Sequence, residues 1–175
     1  MTETVVHTIP PVYDSRSRIL ILGTMPSPKS REIGFYYGNP RNRFWTVLSR
    51  LLDQPCPDSV AAKRQLLLEH RIALWDVLQS CSIDGASDGS IRDPVPNDFS
   101  AIFSEADIQA VFTTGTKAYQ LYQKLCFPNT GMAARPLPST SPANCRLSIE
   151  QLVDAYRPIL SSLASRPGLI AGEER

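Results

Sequence analysis

The run "RILILG", Arg18 to Gly23, constrains the fold of this chain most, because four successive branched aliphatics end at a glycine. The run has no alternating polar face to show to water, so it reads as a strand buried on both sides. Two further segments read the same way: "IALWDV", Ile72 to Val77, and "IQAVFTT", Ile108 to Thr114. A short strand is expected near Arg135 to Pro138.

Helical patterns separate these strands. Phe44, Val47, Leu48 and Leu51 fall at i, i+3, i+4 and i+7, which puts them on one helix face. Ser59 suits the cap of a second helix running through His70, and Gly115 passes the third strand into a helix with Ala118, Leu121, Tyr122 and Leu125 on one side. The last helix starts at Ser148, with Gln151 completing a capping box. Its apolar face is Leu152, Tyr156, Ile159, Leu160 and Leu163, and Pro158 is expected to kink it by removing an internal hydrogen bond. Parallel strands joined by right-handed helical crossovers follow from this order. The expected fold class is α/β, a three-layer α/β/α sandwich with a small, mainly parallel central sheet. At 175 residues one domain, 1–175, is expected, with tails at 1–16 and 165–175.

Composition narrows the function. A net charge of +1 gives no general attraction to nucleic acid, so any such contact must come from local clusters. Cys56, Cys81, Cys126 and Cys145 form no CxxC pair and read as small core hydrophobes in a reducing compartment. Without a signal-peptide pattern or an apolar run near the ~20 residues of a membrane span, a cytoplasmic location is expected. His7 and His70 lie outside every rim loop and read as surface or packing residues, and Lys29 and Lys117 as solvated.

In such sheets the ligand crevice lies beyond the carboxyl ends of the strands. Three unusual loops follow those ends: Thr24 to Arg41, Gln79 to Asp98, and Ser139 to Asn144. The middle one, rich in Ser, Asp and Gly, reads as turn chemistry too long to be incidental. The first holds "GTMPSPKS", which lacks the spacing of an NTPase phosphate loop, and "GFYYGNPRNRFW", which crowds rings, amides and guanidinium groups together. The third, "LPSTSPAN", sets hydroxyls between prolines, a composition suited to gripping phosphates without formal charge.

"GTMPS", "FYYGNPRNRFW" and "LPSTSPAN", in this order over Arg18 to Asn144, resemble the uracil-DNA glycosylase superfamily, closest to its hypoxanthine (deoxyinosine) branch. The resemblance implies the three-layer fold, no metal or organic cofactor, and a monomer acting on DNA that contains deaminated bases. It implies extrusion of the damaged nucleotide and hydrolysis of its N-glycosidic bond by water. Asn42 matches the catalytic amide that positions water. Tyr37 matches the aromatic stacked on the flipped base, with Tyr36 behind it. Asp76 matches the base-reading position, and its carboxylate suits a base presenting an N–H. Asn39, Thr24 and Met25 complete the base pocket. Ser27, Ser30, Ser139, Thr140, Ser141 and Asn144 match DNA-binding positions, and Arg41 and Arg43 add local positive charge.

Two residues depart from the wider pattern. Met25 stands where relatives carry a water-holding Asp or Asn, and Leu137 where some carry a His or Asn. Neither side chain can hold water or a departing oxygen. That leaves a mismatch-type uracil or thymine glycosylase, a non-catalytic nucleic-acid binding module, and a nucleoside hydrolase as rivals. Trp45 and Phe44 read as core rings, and Asn42 also reads as a helix cap, which is compatible with catalysis.

Overall fold

The computed structural model describes residues 2–164. The chain begins with β1 (Thr2–Val6) and the aliphatic run β2 (Ile19–Gly23), followed by α1 (Pro28–Ile33), α2 (Phe44–Leu51) and α3 (Val60–Glu69). Three strands come next, β3 (Ile72–Asp76), β4 (Leu78–Asp84) and β5 (Ser87–Pro96), and then α4 (Ser100–Glu105). The remainder runs β6 (Ala110–Thr114), α5 (Thr116–Leu125), α6 (Phe127–Thr130), β7 (Ala134–Leu137), α7 (Ile149–Ala155) and α8 (Pro158–Ala164).

The four aliphatic strands form one parallel sheet in the order β3-β2-β6-β7. Every residue of β2 is buried, as a run without polar alternation requires. Period-2 alternation divides the sheet's side chains between two cores. Ile19, Ile21, Ile72, Leu74 and Phe112 face α2, α3, α7 and α8. Leu20, Leu22, Ala73 and Val111 face α4, α5 and the apolar side of a second sheet. The α/β/α sandwich is therefore present, with that second sheet added to one layer.

The second sheet is where sequence patterning and structure part. The segment Gln79 to Asp98, expected as a loop, is largely the antiparallel hairpin β4–β5, with Asp84 paired to Ser87 across the turn. Gly85 takes φ 57° in that turn, a left-handed conformation glycine adopts without steric cost. The segment 1–16 is not a tail up to its end: β1 pairs antiparallel with β4, and Ile9 and Val12 are buried. Residues 165–175 lie outside the described residues. Helix α1, inside what read as a loop, starts on Pro28 with Ser27 as its cap. Pro158 does more than kink the last helix, since α7 ends before it and α8 begins on it. Cys81 and Cys126 are core residues as expected, whereas Cys56 and Cys145 are exposed.

Candidate active site

First in sequence among the parallel strands, β2 lies between β3 and β6, so the chain crosses over on both sides of it. This is the switch point beyond which α/β sheets bind ligands. A cleft of about 310 Å³ opens there. Gly23, Thr24 and Met25 enter it from the end of β2, Asp76 from β3 and Thr114 from β6. Tyr37, Asn39 and Asn42 come from the loop before α2, and Ser139 to Ala143 from the loop after β7. Gly85, Ala86 and Asp88 of the hairpin tip close a further side.

Asp76 forms the floor. It is 3% exposed and sits directly opposite Gly23 in the β2–β3 register. A Cβ on Gly23 would lie 2.5 Å from Asp76 Oδ1 and 3.0 Å from the Tyr37 hydroxyl, so only glycine admits both groups. The His7 ring donates from Nε2 to Asp76 Oδ2 at 2.8 Å, with 1% of its side chain exposed. His7 is therefore neither a surface residue nor generic packing, because β1 delivers it under the site. The rings of Tyr36 and Trp75 flank it. Tyr36 in turn donates its hydroxyl to the carbonyls of Ile9 and Pro10, anchoring the segment that follows His7.

Tyr37 is one of the non-glycine residues at positive φ, at 51°. Phe44 stacks on one of its faces, with ring centres 3.9 Å apart and planes 12° from parallel. The phenol shares a 2.9 Å hydrogen bond with the Thr114 hydroxyl. Burial, reinforced by the Asp76 charge, pushes this phenol well above its ordinary pKa, so it remains a neutral ring. Phe44 and Trp45 are core, as expected, and Trp45 Nε1 donates to the Tyr36 carbonyl.

Asn42 is held from two sides through one atom. Its Oδ1 accepts from the Phe44 N–H at 2.9 Å, at the start of α2, and from the Thr140 hydroxyl at 2.8 Å. Those donors occupy both lone pairs of the amide oxygen, leaving Nδ2, which makes no hydrogen bond within the described residues, as its free polar group. Asn39 shapes the same turn, accepting from the N–H groups of Arg41 and Asn42. The Arg43 guanidinium donates to the carbonyls of Asn144 and Leu147, so it clamps the late loop instead of facing out as a free charge.

The hydroxyls of the rim are partly committed. Ser27 Oγ caps α1, and buried Ser30 Oγ accepts from the Gly38 N–H. Thr140, 1% exposed, is spent on Asn42. Ser139 and Ser141 accept from backbone N–H groups two residues on, contacts that leave each O–H proton available to another acceptor. Asn144 lies outside the main cleft, in an adjoining groove with Gly115, Thr116 and Tyr119. All the other site residues read from the sequence line the cleft together.

Sequence reasoning missed His7, Thr114 and Asp88. Asp88 reaches the cleft from β5, and Thr24 Oγ1 donates to its Oδ2 at 3.4 Å. The residue is exposed at the rim, but protein atoms crowd its carboxyl and raise its pKa, with Asp76 adding to the effect and Thr24 and Lys117 opposing it. Gly85-Ala86 was the available signal, since glycine first in a two-residue loop favours a hairpin turn, here the one that returns the chain to the rim.

A domain of this architecture, with its cleft at the switch point and loops rich in Ser, Pro and Asn around it, matches the family model of the uracil DNA glycosylase superfamily over residues 10–160. The chain belongs to that superfamily, and it is a DNA glycosylase. It is 37% identical over 141 residues to the hypoxanthine DNA glycosylase of Methanosarcina acetivorans, covering 79% of this chain and 88% of that one. The hypoxanthine DNA glycosylase of Methanosarcina barkeri is 32% identical over 139 residues, covering 78% of this chain and 87% of that one. A solution NMR structure of a putative uracil DNA glycosylase from Methanosarcina acetivorans superposes with a TM-score of 0.74 at 31% identity, covering 91% of this chain and 99% of that one.

Proposed function

We propose that this enzyme removes hypoxanthine from DNA by flipping deoxyinosine into the cleft and hydrolysing its N-glycosidic bond with water, the first step of base excision repair. The observation that carries this reading is the joint entry of Tyr37, Asp76 and Asn42 into one cleft at the sheet's switch point. The flipped base stacks on Tyr37, whose far face Phe44 already supports. Base–aromatic stacking is worth about 1–3 kcal/mol per base in single-strand binders, enough to offset part of the cost of unstacking. Asp76 reads the base edge. Its Oδ2 is engaged by His7, and Oδ1 accepts the N1–H of hypoxanthine. Adenine offers a lone pair at N1, which a carboxylate repels, so the undamaged base is refused. Uracil and xanthine also present an N–H, and they follow hypoxanthine as substrates.

The Asn42 Nδ2 donates to the oxygen of the attacking water, while Phe44 N–H and Thr140 fix the amide's direction. As the bond from C1′ to the base breaks, positive charge grows on the sugar and negative charge on the base. Ser139 and Ser141 grip the flanking phosphates through their O–H donors.

The direct test uses duplexes with one deoxyinosine, uracil or xanthine, treated with enzyme and then alkali. Strand scission at deoxyinosine, faster than at the other two, is the expected result. No alkali-labile product from any of the three refutes the enzymatic reading of the site.

A further inference from the structure

We propose that Asp88, on the β4–β5 hairpin, is the carboxylate that takes the proton from the attacking water. The inference rests on the hydrolytic reading above and identifies a group that reading lacks. Water bound to Asn42 Nδ2 is held by its oxygen, and its own protons still need an acceptor. Met25, at the end of β2, has none to offer. The Asn42 oxygen is already engaged by the Phe44 N–H and Thr140. Of the carboxylates lining the cleft, Asp76 is tied to His7 through Oδ2, and the reading above commits its Oδ1 to the base N1–H. Asp88 keeps an oxygen that neither the protein nor the base claims: Thr24 Oγ1 donates to Oδ2, and Oδ1 makes no hydrogen bond within the described residues.

The position of Asp88 has a physical cause in the hairpin. Gly85 turns the chain tightly enough to bring the start of β5 back over the end of β2, where buried Thr24 meets the carboxylate. The charges around it are Asp76 from β3 and Lys117 from α5. The Tyr37 phenol and the Cys81 thiol also feel the Asp88 charge. A carboxylate made more basic by its surroundings is a better proton acceptor, and its negative charge opposes the positive charge growing on the sugar. In the step, the water oxygen bonds to C1′ as the C1′–N9 bond breaks and its electron pair leaves with the base. One water proton passes to Asp88, which returns it to solvent, and the base anion takes a proton from solvent.

Single-turnover cleavage of a deoxyinosine duplex by wild type, Asp88→Asn and Asp88→Glu tests this, with duplex affinity measured alongside. The expected result is a loss of about 100-fold or more in rate for Asp88→Asn with affinity unchanged, and partial recovery in Asp88→Glu. The wild-type rate should rise with pH and then level off, and Asp88→Asn should lack that rise, which a merely structural role would not cause. A rate loss below tenfold, a loss confined to affinity, or an unaltered pH profile overturns the assignment of Asp88 while leaving the glycosylase reading intact. If wild type itself leaves deoxyinosine uncut, both readings fall together.

Discussion

Gly23→Ala tests how tightly the floor of the cleft is built. The new Cβ would lie 2.5 Å from Asp76 Oδ1, about 0.9 Å inside the 3.4 Å at which ordinary contact begins. Neither side retreats easily. Gly23 is paired to β3, and Asp76 belongs to β3 with its carboxylate held by His7 at 2.8 Å. A carboxylate that swings away by this distance stretches the His7 bond beyond hydrogen-bonding range. Overpacking a core costs about 1–3 kcal/mol. Losing a hydrogen bond to a charged group costs about 1.5–3 kcal/mol. The expected destabilisation is therefore about 2.5–6 kcal/mol by urea unfolding, accompanied by loss of cleavage. A double-mutant cycle isolates the cause, because in an Asp76→Ala background the main obstruction is gone. There the same glycine substitution should cost under about 1 kcal/mol, since only the Tyr37 hydroxyl at 3.0 Å must give way. An equal cost in both backgrounds would show that the Gly23–Asp76 contact is not what demands glycine.

Thr140→Val keeps the side chain's shape and removes the hydroxyl that holds Asn42; stability should fall by about 0.5–1.5 kcal/mol, and the cleavage rate by about tenfold or more, as the amide loses one restraint. Asp88→Asn should raise the melting temperature at neutral pH. A carboxyl with a raised folded-state pKa favours folding fully below its unfolded pKa, and that contribution is lost as pH rises through the folded value. The neutral amide has no such loss, so its advantage should vanish below the ordinary carboxylate range; an advantage that persisted there would contradict the electrostatic cause. Burial pushes the Cys126 thiol up to about 12, and Cys81 is raised too, so a thiol reagent near pH 8 should label only Cys56 and Cys145 until the chain is denatured. Rapid native labelling of Cys81 or Cys126 would contradict the packing of the second core.

The parallel sheet was legible because burial on both faces leaves only one kind of sequence: "RILILG" and "IALWDV" admit no partly solvated strand. The hairpin was not legible, because β4 and β5 bury only part of their side chains and intersperse Leu78, Cys81, Ile83 and Ile91 with polar residues. Asp, Ser and Gly in the exposed positions made the whole segment resemble a turn. Strand β1 has one buried residue, Val5, too few to register as a pattern. His7 was lost with it, since its partner Asp76 is 69 residues away and only the fold brings them together. By contrast, most of the site lies on short motifs at strand ends, where a local pattern is enough. The hydrogen-bond economy of those motifs was not readable, because which hydroxyls are free depends on neighbours such as Asn42 for Thr140 and Gly38 for Ser30.

The central claim is that the amide of Asn42, fixed by Thr140 and the start of α2, holds the water that breaks the bond to hypoxanthine. Single-turnover cleavage of a deoxyinosine duplex by wild type and Asn42→Ala tests it most directly, with binding of the same duplex and thermal unfolding as companions. The account predicts a rate about 100-fold or more below wild type in a variant that still folds and still binds. A folded Asn42→Ala enzyme that releases hypoxanthine at the wild-type rate would contradict it.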